Sequence, residues 1–336
     1  MASKTNVTKI SDNSKQDYRK NSLWRMTLRR IFRQRNAIVG MGLIGFMVLV
    51  AVFAPVLAPY DPLQVLIGIE DVKKRSDPCI HLVDPTKNTS FTNGFCESFE
   101  ALCCPPDKMT HVMGIDGNVR DQFSRIIYGS RISLMVGIFT VALSLTIGTL
   151  LGSISGFLGG WWDNIIMRFL DVLMAFPALL LMIAIVNVLG RGIFNALLAI
   201  SIVSIPGYAR IVRASVLSVK ANEYVAASRA LGGSNIHILF SRILPNAIPP
   251  LIVRATLGIG GAILETAALS FLGLGAQPPT PEWGTMLGTE RSQVFTAPHL
   301  VFFPGFAIML TVLGFNLLGD GLRDAIDPRL NQAGNE

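Results

Sequence analysis

Charge is scarce in this chain. Lys, Arg, Asp and Glu make up 15% of its 336 residues, where a soluble domain carries about a quarter, and 51% apolar residues lift the mean hydropathy to +0.49. An ordinary water-soluble domain is excluded. Histidine is rarer still: His81, His111, His237 and His299 all lie outside the long apolar runs or at their ends, which leaves a secondary transporter without a buried histidine relay. A phosphate loop of the form G-x-x-x-x-G-K-[ST] is missing, so any ATP must be bound elsewhere. The cysteines form no CxxC, which deprives a membrane thiol oxidoreductase of its reactive pair.

What the chain has is apolar runs of membrane length. A hydrocarbon core about 30 Å thick takes about 20 helical residues at about 1.5 Å each. Ala37–Ala58, Ile132–Ile154, Ile165–Leu189, Phe194–Val216, Ile248–Leu274 and Leu300–Leu318 meet that length, the third and fifth with charges inside them. The fold class is therefore an all-α integral membrane protein with six transmembrane helices.

Basic residues give the orientation. Residues 1–36 hold ten Lys or Arg against two acids, the loop 59–129 holds seven against ten, and 210–242 holds five against Glu223 alone. Positive charge stays in the cytoplasm, so both termini and the 210–242 segment are placed inside and the acidic loop outside. Nucleic acid is not needed to explain the net charge of +7. The first apolar run starts after residue 36 and lacks a clear small-x-small site, so no cleavable signal is expected. The resulting division is a cytoplasmic segment 1–36, a first helix 37–58, an extracytoplasmic loop 59–129, a core 130–320 that includes a cytoplasmic loop 219–245, and a cytoplasmic tail 321–336.

All four cysteines, Cys79, Cys96, Cys103 and Cys104, fall in the loop assigned to the outside, where an oxidising compartment suits disulfides. Adjacent residues rarely meet disulfide geometry. Two pairings then remain open: Cys79–Cys103 with Cys96–Cys104, or Cys79–Cys104 with Cys96–Cys103. Their spacing does not suit a metal site.

Before the first span, Trp24, Leu28, Ile31 and Phe32 fall at helical spacing among Arg25, Arg29, Arg30, Arg33 and Arg35, the pattern of a basic amphipathic helix on the inner leaflet. Gly137, Gly148, Gly152, Gly156, Gly159 and Gly160 would let helices approach closely. Pro177 should kink the third span, and Pro249 and Pro250 should begin the fifth. Between spans four and five, Tyr224, Ala227 and Leu231, then Ile236, Leu239, Phe240 and Ile243, give two helical stretches interrupted by Gly232 and Gly233 and closed by Pro245. A helix, a break and a second helix leading straight into a span form a projecting knob that can pass force to the membrane.

Ala226-Ala-Ser-Arg-Ala-Leu-Gly232, nine residues, then Arg-Ile-Leu-Pro245 resembles the EAA loop of binding-protein-dependent ABC importer permeases. Ala226 stands at that motif's Glu, Ser228 at its second Ala and Arg242 at its Ile, and Glu223, one turn earlier, offers a carboxylate in place of the missing one. His111-Val-Met-Gly-Ile-Asp-Gly-Asn-Val-Arg-Asp-Gln-Phe-Ser-Arg125 is similar to the entry sequence H-x-LGTD-xx-GRD-xx-SR of the dipeptide, oligopeptide and nickel importer permeases, with Met113, Ile115 and Val119 departing. Leu269–Gly284 and Asn316–Arg329 resemble other stretches of the second of their two permease subunits. The likeness covers about residues 23–60 and 108–330 and leaves out the cysteine-bearing insert 72–107.

The resemblance implies a type I importer-like permease in a bacterial or archaeal plasma membrane. It further implies a homologous second permease, two ABC ATPases carrying ATP and magnesium, and an external solute-binding protein. This chain would be no enzyme and would bind no cofactor or metal. ATPase coupling would fall to Glu223, Tyr224, Ala226, Ala227, Arg229, Leu231, Gly232 and Ser234. Peptide is the foremost solute, ahead of nickel chelates, glutathione-like compounds and small sugars. Charges inside spans are costly and face protein or water. Arg168 and Asp171, at i and i+3, are read as a structural ion pair. Arg254 and Glu265, three turns apart on one face, are assigned to the pathway or the partner interface.

Overall fold

The computed structural model describes residue 32 and residues 34–69, 73–78 and 111–326. The four cysteines, the amphipathic segment before the first span except Phe32, Gln34 and Arg35, and the tail beyond 326 lie outside the described residues. Among those described, the regular structure is helical, and Ile115 and Asp121 form an isolated antiparallel β-bridge.

Among the described residues, five helices are long and apolar enough to cross a membrane: α1 (Arg35–Val52), α2 (Gln122–Leu158), α5 (Ile193–Lys220), α7 (Pro249–Phe271) and α9 (His299–Ile326). A sixth crossing is made only if α3 (Gly160–Met174) and α4 (Ala178–Leu189) count as one span, and the angle between them is 91°. The expected kink is thus a break. Pro177 supplies no N–H and forces the preceding residue out of the helical region. Its own backbone is extended at φ −57, ψ 126, so α3 stops and α4 restarts.

The second span also exceeds its apolar run. α2 has 37 residues, about 55 Å at helical rise, and begins ten residues before Ile132. Asp121 caps it, accepting from the Ser124 N–H at 2.7 Å. The charges of its first turns find partners. Arg125 Nη1 donates to the Pro62 carbonyl at 2.9 Å, and Arg131 Nη2 donates to the Val52 carbonyl at the end of α1 at 3.0 Å.

α2 and α5 form the central pair. Gly148, Gly152 and Gly156 recur every four residues on α2, and any β-carbon there would strike Tyr208, Ala209 or Val216 of α5. Small residues thus bring the two backbones together without a hydrophobic force between helices. α1 lies along α9, and α7 fills the space between α2 and α9, with Met47, Leu134, Ile263 and Phe315 meeting in one cluster.

At the end of the bundle bearing residues 59–69, 73–78, 111–121 and 272–298, charges clasp the connections. The Asp116 carboxylate accepts the N–H groups of Asn118 and Arg120, both at 2.9 Å, and pairs with the Arg120 guanidinium at 2.7 Å. Helix α8 (Trp283–Glu290) is capped by Glu282, whose carboxylate accepts from the N–H groups of Gly284 and Thr285 at 2.9 and 2.8 Å. Its last residue, Glu290, accepts from Gly117 N–H and pairs with Arg75, each at 3.0 Å. The entry-like sequence His111–Arg125 is therefore built into this clasp.

Candidate functional site

The opposite end carries the loop between α5 and α7. α5 runs to Lys220, whose Nζ donates to the Phe157 carbonyl at 2.6 Å and lies over the Phe157 ring. Helix α6 (Glu223–Ala230) follows with a single buried residue, Val225. It ends because Gly232 takes φ +82, a left-handed conformation that costs other residues about 1–2 kcal/mol. Gly233 then donates to the Ser228 carbonyl at 3.0 Å, so close that a β-carbon at Gly233 would stand 2.8 Å from that oxygen. The two glycines are needed for different reasons, one for dihedral angle and one for space.

Ser234 restarts the helix, its Oγ accepting from His237 N–H at 3.3 Å. From Asn235 the chain stays helical through Ala247, with a π segment at Ile238–Ile243. A π register suits the approach to Pro245, whose missing N–H and bulky ring disturb an ordinary α turn. After Ile248, α7 continues the rod, so the loop and the span are joined by one residue outside regular helix.

The loop has two faces. Val225, Ile238, Ile243 and Ala247 are buried against Val212 and Val216 of α5, Phe157 of α2 and Leu251 of α7. The other face is open: Leu231 is 89% exposed, Ile236 73% and Phe240 59%, with Tyr224 beside them at 45%. Glu223, Ala226, Ala227, Arg229, Gly232 and Ser234 are also exposed. Every residue assigned from the sequence to coupling therefore stands on the surface. Ile236 and Phe240 belong to the same surface and were not singled out for it, although the alternation of apolar residues through the second stretch carried the signal.

The pairing expected between Arg168 and Asp171 is corrected. Asp171 meets Arg210 of α5 at 2.6 Å, and Asp163 on the same helix holds Arg213 through two hydrogen bonds, both 2.6 Å. Ser155 of α2 also donates to Asp163. Arginines across a helix interface displace a neighbour one turn away because two acids of α3 face Arg210 and Arg213, themselves one turn apart. Sequence spacing within one helix could not reveal that crossing.

Arg254 and Glu265 both lie on α7. The Arg254 side chain is exposed and its guanidinium rests 5.8 Å from the centre of the Tyr208 ring on α5, while Glu265 is half-buried. Neither forms an ion pair or hydrogen bond with another described residue. No group of three or more His, Cys, Asp or Glu among the described residues could hold a metal.

Residues 148–332 match the family model of the binding-protein-dependent transport system inner membrane component, and residues 22–73 match that of the N-terminal TM domain of oligopeptide transport permease C. The chain is 44% identical over 309 residues to the dipeptide transport system permease protein DppC of Alkalihalophilus pseudofirmus, covering 92% of this chain and 91% of that one. It is 43% identical over 307 residues to the glutathione transport system permease protein GsiD of Pectobacterium atrosepticum, covering 91% of each. In three dimensions it is similar to a chain of the inward-facing MetNI methionine ABC transporter, with TM-score 0.50 and 18% identity over 61% of this chain and 98% of that one. At that identity the likeness speaks for the fold.

Proposed function

The chain belongs to the family of inner membrane components of binding-protein-dependent transport systems and is a permease subunit of an ABC importer; from that premise we propose how it works and what it carries. The loop between α5 and α7 faces the cytoplasm and seats an ATPase subunit. The single observation that carries this is its division into a face welded to three membrane helices and an apolar face that no other described residue covers. Leu231, Ile236, Phe240 and Tyr224 offer the anchors, and Glu223, Arg229 and Ser234 the polar rim that such interfaces carry. Movement of the docked ATPases on binding and hydrolysing ATP is passed through the helical run 235–247 into α7. That biases the bundle between inward- and outward-facing states, to each of which the ATPases bind with different affinity.

A second, homologous permease completes the pathway. The break between α3 and α4 supports this. Ala175, Phe176, Pro177 and the first turn of α4 are all exposed in the isolated chain, yet irregular backbone at membrane depth is tolerated only against protein or a water-filled cavity. The solute is a short peptide, delivered from outside by a binding protein. Relatives named for dipeptide and for glutathione transport both point to this class. Membership in the family leaves no place for the secondary-transport and thiol-oxidoreductase readings.

The test is reconstitution. Purified with its permease partner, ATPases and binding protein in lipid vesicles, the chain should support ATP-dependent accumulation of L-alanyl-L-alanine. ATP hydrolysis that proceeds with no accumulation of dialanine or any other di- or tripeptide would refute the solute assignment. Failure of ATPases to bind a permease pair containing this chain would refute the docking assignment.

A further inference from the structure

α7 has one face that the other described residues leave open. Arg254, Gly261, Leu264, Glu265 and Ala268 lie along it, exposed or partly so, while Ile263, Thr266, Ala267 and Ser270 on the other side are buried. At 100° per residue Arg254 and Glu265 differ by about 20° around the helix axis and by about 16 Å along it. Gly261 lies between them with open space where a side chain would be. This is a poor surface to offer lipid, because it places a guanidinium and a carboxylate at membrane depth. It is also a poor dry interface, since neither charge has an ion-pair or hydrogen-bond partner among the described residues.

Tyr208 meets the first of these charges. Its ring is buried between α5 and α7, and the Arg254 guanidinium rests over its face. A surface of that kind, positive at one end and negative at the other, fits a molecule with a carboxylate and an ammonium at its two ends. An extended peptide covers at most about 3.3–3.6 Å per residue, so two or three residues reach about 7–11 Å, and the rest of the roughly 16 Å between the two helix positions falls to the two side chains and their hydrogen bonds.

We propose that the open face of α7 lines the translocation pathway and forms a station for a zwitterionic short peptide, with Glu265 accepting from the terminal ammonium and Arg254 donating to the terminal carboxylate. Tyr208 is a positioning residue that holds the guanidinium toward the pathway. Guanidinium and carboxylate geometries match for paired hydrogen bonds, and the water-filled route supplies the solvent that both charges need when no peptide is present. This deepens, and rests on, the reading of the chain as a peptide permease.

The fully assembled transporter in lipid vesicles, with L-alanyl-L-alanine as the probe, tests it in two ways. Gly261→Cys places a thiol between the charges at a position with room for it. A water-soluble cationic methanethiosulfonate should label it above the background of the four native cysteines, measured in the unsubstituted chain. Dialanine under turnover should slow that labelling. Adding Glu265→Gln should slow the cationic reagent by about tenfold, by removing the attracting charge. Independently, Glu265→Gln and Arg254→Gln should each lower dialanine uptake by about tenfold or more, as expected for loss of a hydrogen bond to a charged group, with Glu265→Asp and Arg254→Lys retaining part of it.

A thiol at 261 that is unreactive in the assembled transporter but reactive in the isolated chain would assign the face to the partner permease and overturn the proposal. Uptake at the wild-type rate in both charge-neutral variants would also overturn it. If those variants fail to assemble, labelling of Gly261→Cys in the otherwise unchanged chain still decides. Absence of dialanine uptake by the wild-type transporter would instead overturn the peptide reading itself and this station with it; uptake by the wild type without any effect at 254, 261 or 265 would overturn the station alone.

Discussion

Replacing Leu231 with Ser separates docking from folding. Leu231 is 89% exposed and sits in the break after α6, so removing its side chain takes almost nothing out of the core. Surface changes of this kind alter stability by about 0.5 kcal/mol or less. When an ATPase covers it, the same side chain is buried. Full burial of a leucine contributes about 1.5–3 kcal/mol, and about 2 kcal/mol corresponds to a roughly thirtyfold change in dissociation constant. Val225, six residues earlier, is 1% exposed and belongs to the inner face. Val225→Ala should therefore cost about 2 kcal/mol of local stability and act on docking only through the loss of order in α6. The assay is titration of purified ATPase subunits onto the permease pair in nanodiscs, alongside thermal melting of the pair alone. Leu231→Ser should bind about thirtyfold more weakly and melt as wild type does. Unchanged ATPase affinity in Leu231→Ser would refute the reasoning, and so would a large fall in melting temperature.

Further outcomes follow from single residues. Gly232→Ala meets open space but must hold φ +82; it should raise hydrogen exchange in α6 by about 1 kcal/mol of opening free energy, and Gly232→Asn by less. The Asp163–Arg213 pair, at 18% and 35% side-chain exposure, should show a coupling energy of about 1–3 kcal/mol in a double-mutant cycle read by melting. The Asp171–Arg210 pair, at 48% and 46%, should show less than about 1 kcal/mol. Val119 is buried beside Leu66 and Ile115 yet has φ +58. Val119→Ala loses packing and keeps the strain, whereas Val119→Gly also removes the strain, so the glycine variant should melt above the alanine one, the reverse of the usual order.

Much of this architecture is legible in the sequence because crossing a bilayer imposes a length and a composition that single runs display. The loop between α5 and α7 is legible for a related reason: Gly232 and Gly233 mark a turn, and the apolar residues around them keep helical spacing. The strained Val119 stands where the resembling motif has glycine, and its positive φ shows why that motif uses one. What could not be read is whatever depends on partners across helices. Arg125 and Arg131 look like the end of a span until their carbonyl acceptors at Pro62 and Val52 are known. Pro177 announces a disturbance but not its angle, since a kink and a 91° break differ in what the neighbouring helices can cover. Asp171 has an arginine one turn away in sequence and a better placed one on α5, and only the crossing of α3 over α5 decides between them.

The most direct measurement places a cysteine at position 231 and asks what it touches and from which side it can be reached. With the transporter assembled in native membranes, Leu231→Cys should crosslink to an ATPase subunit and resist an impermeant thiol reagent applied to intact cells. Labelling from outside, with no ATPase crosslink, would place the loop beyond reach of any cytoplasmic motor and contradict the account.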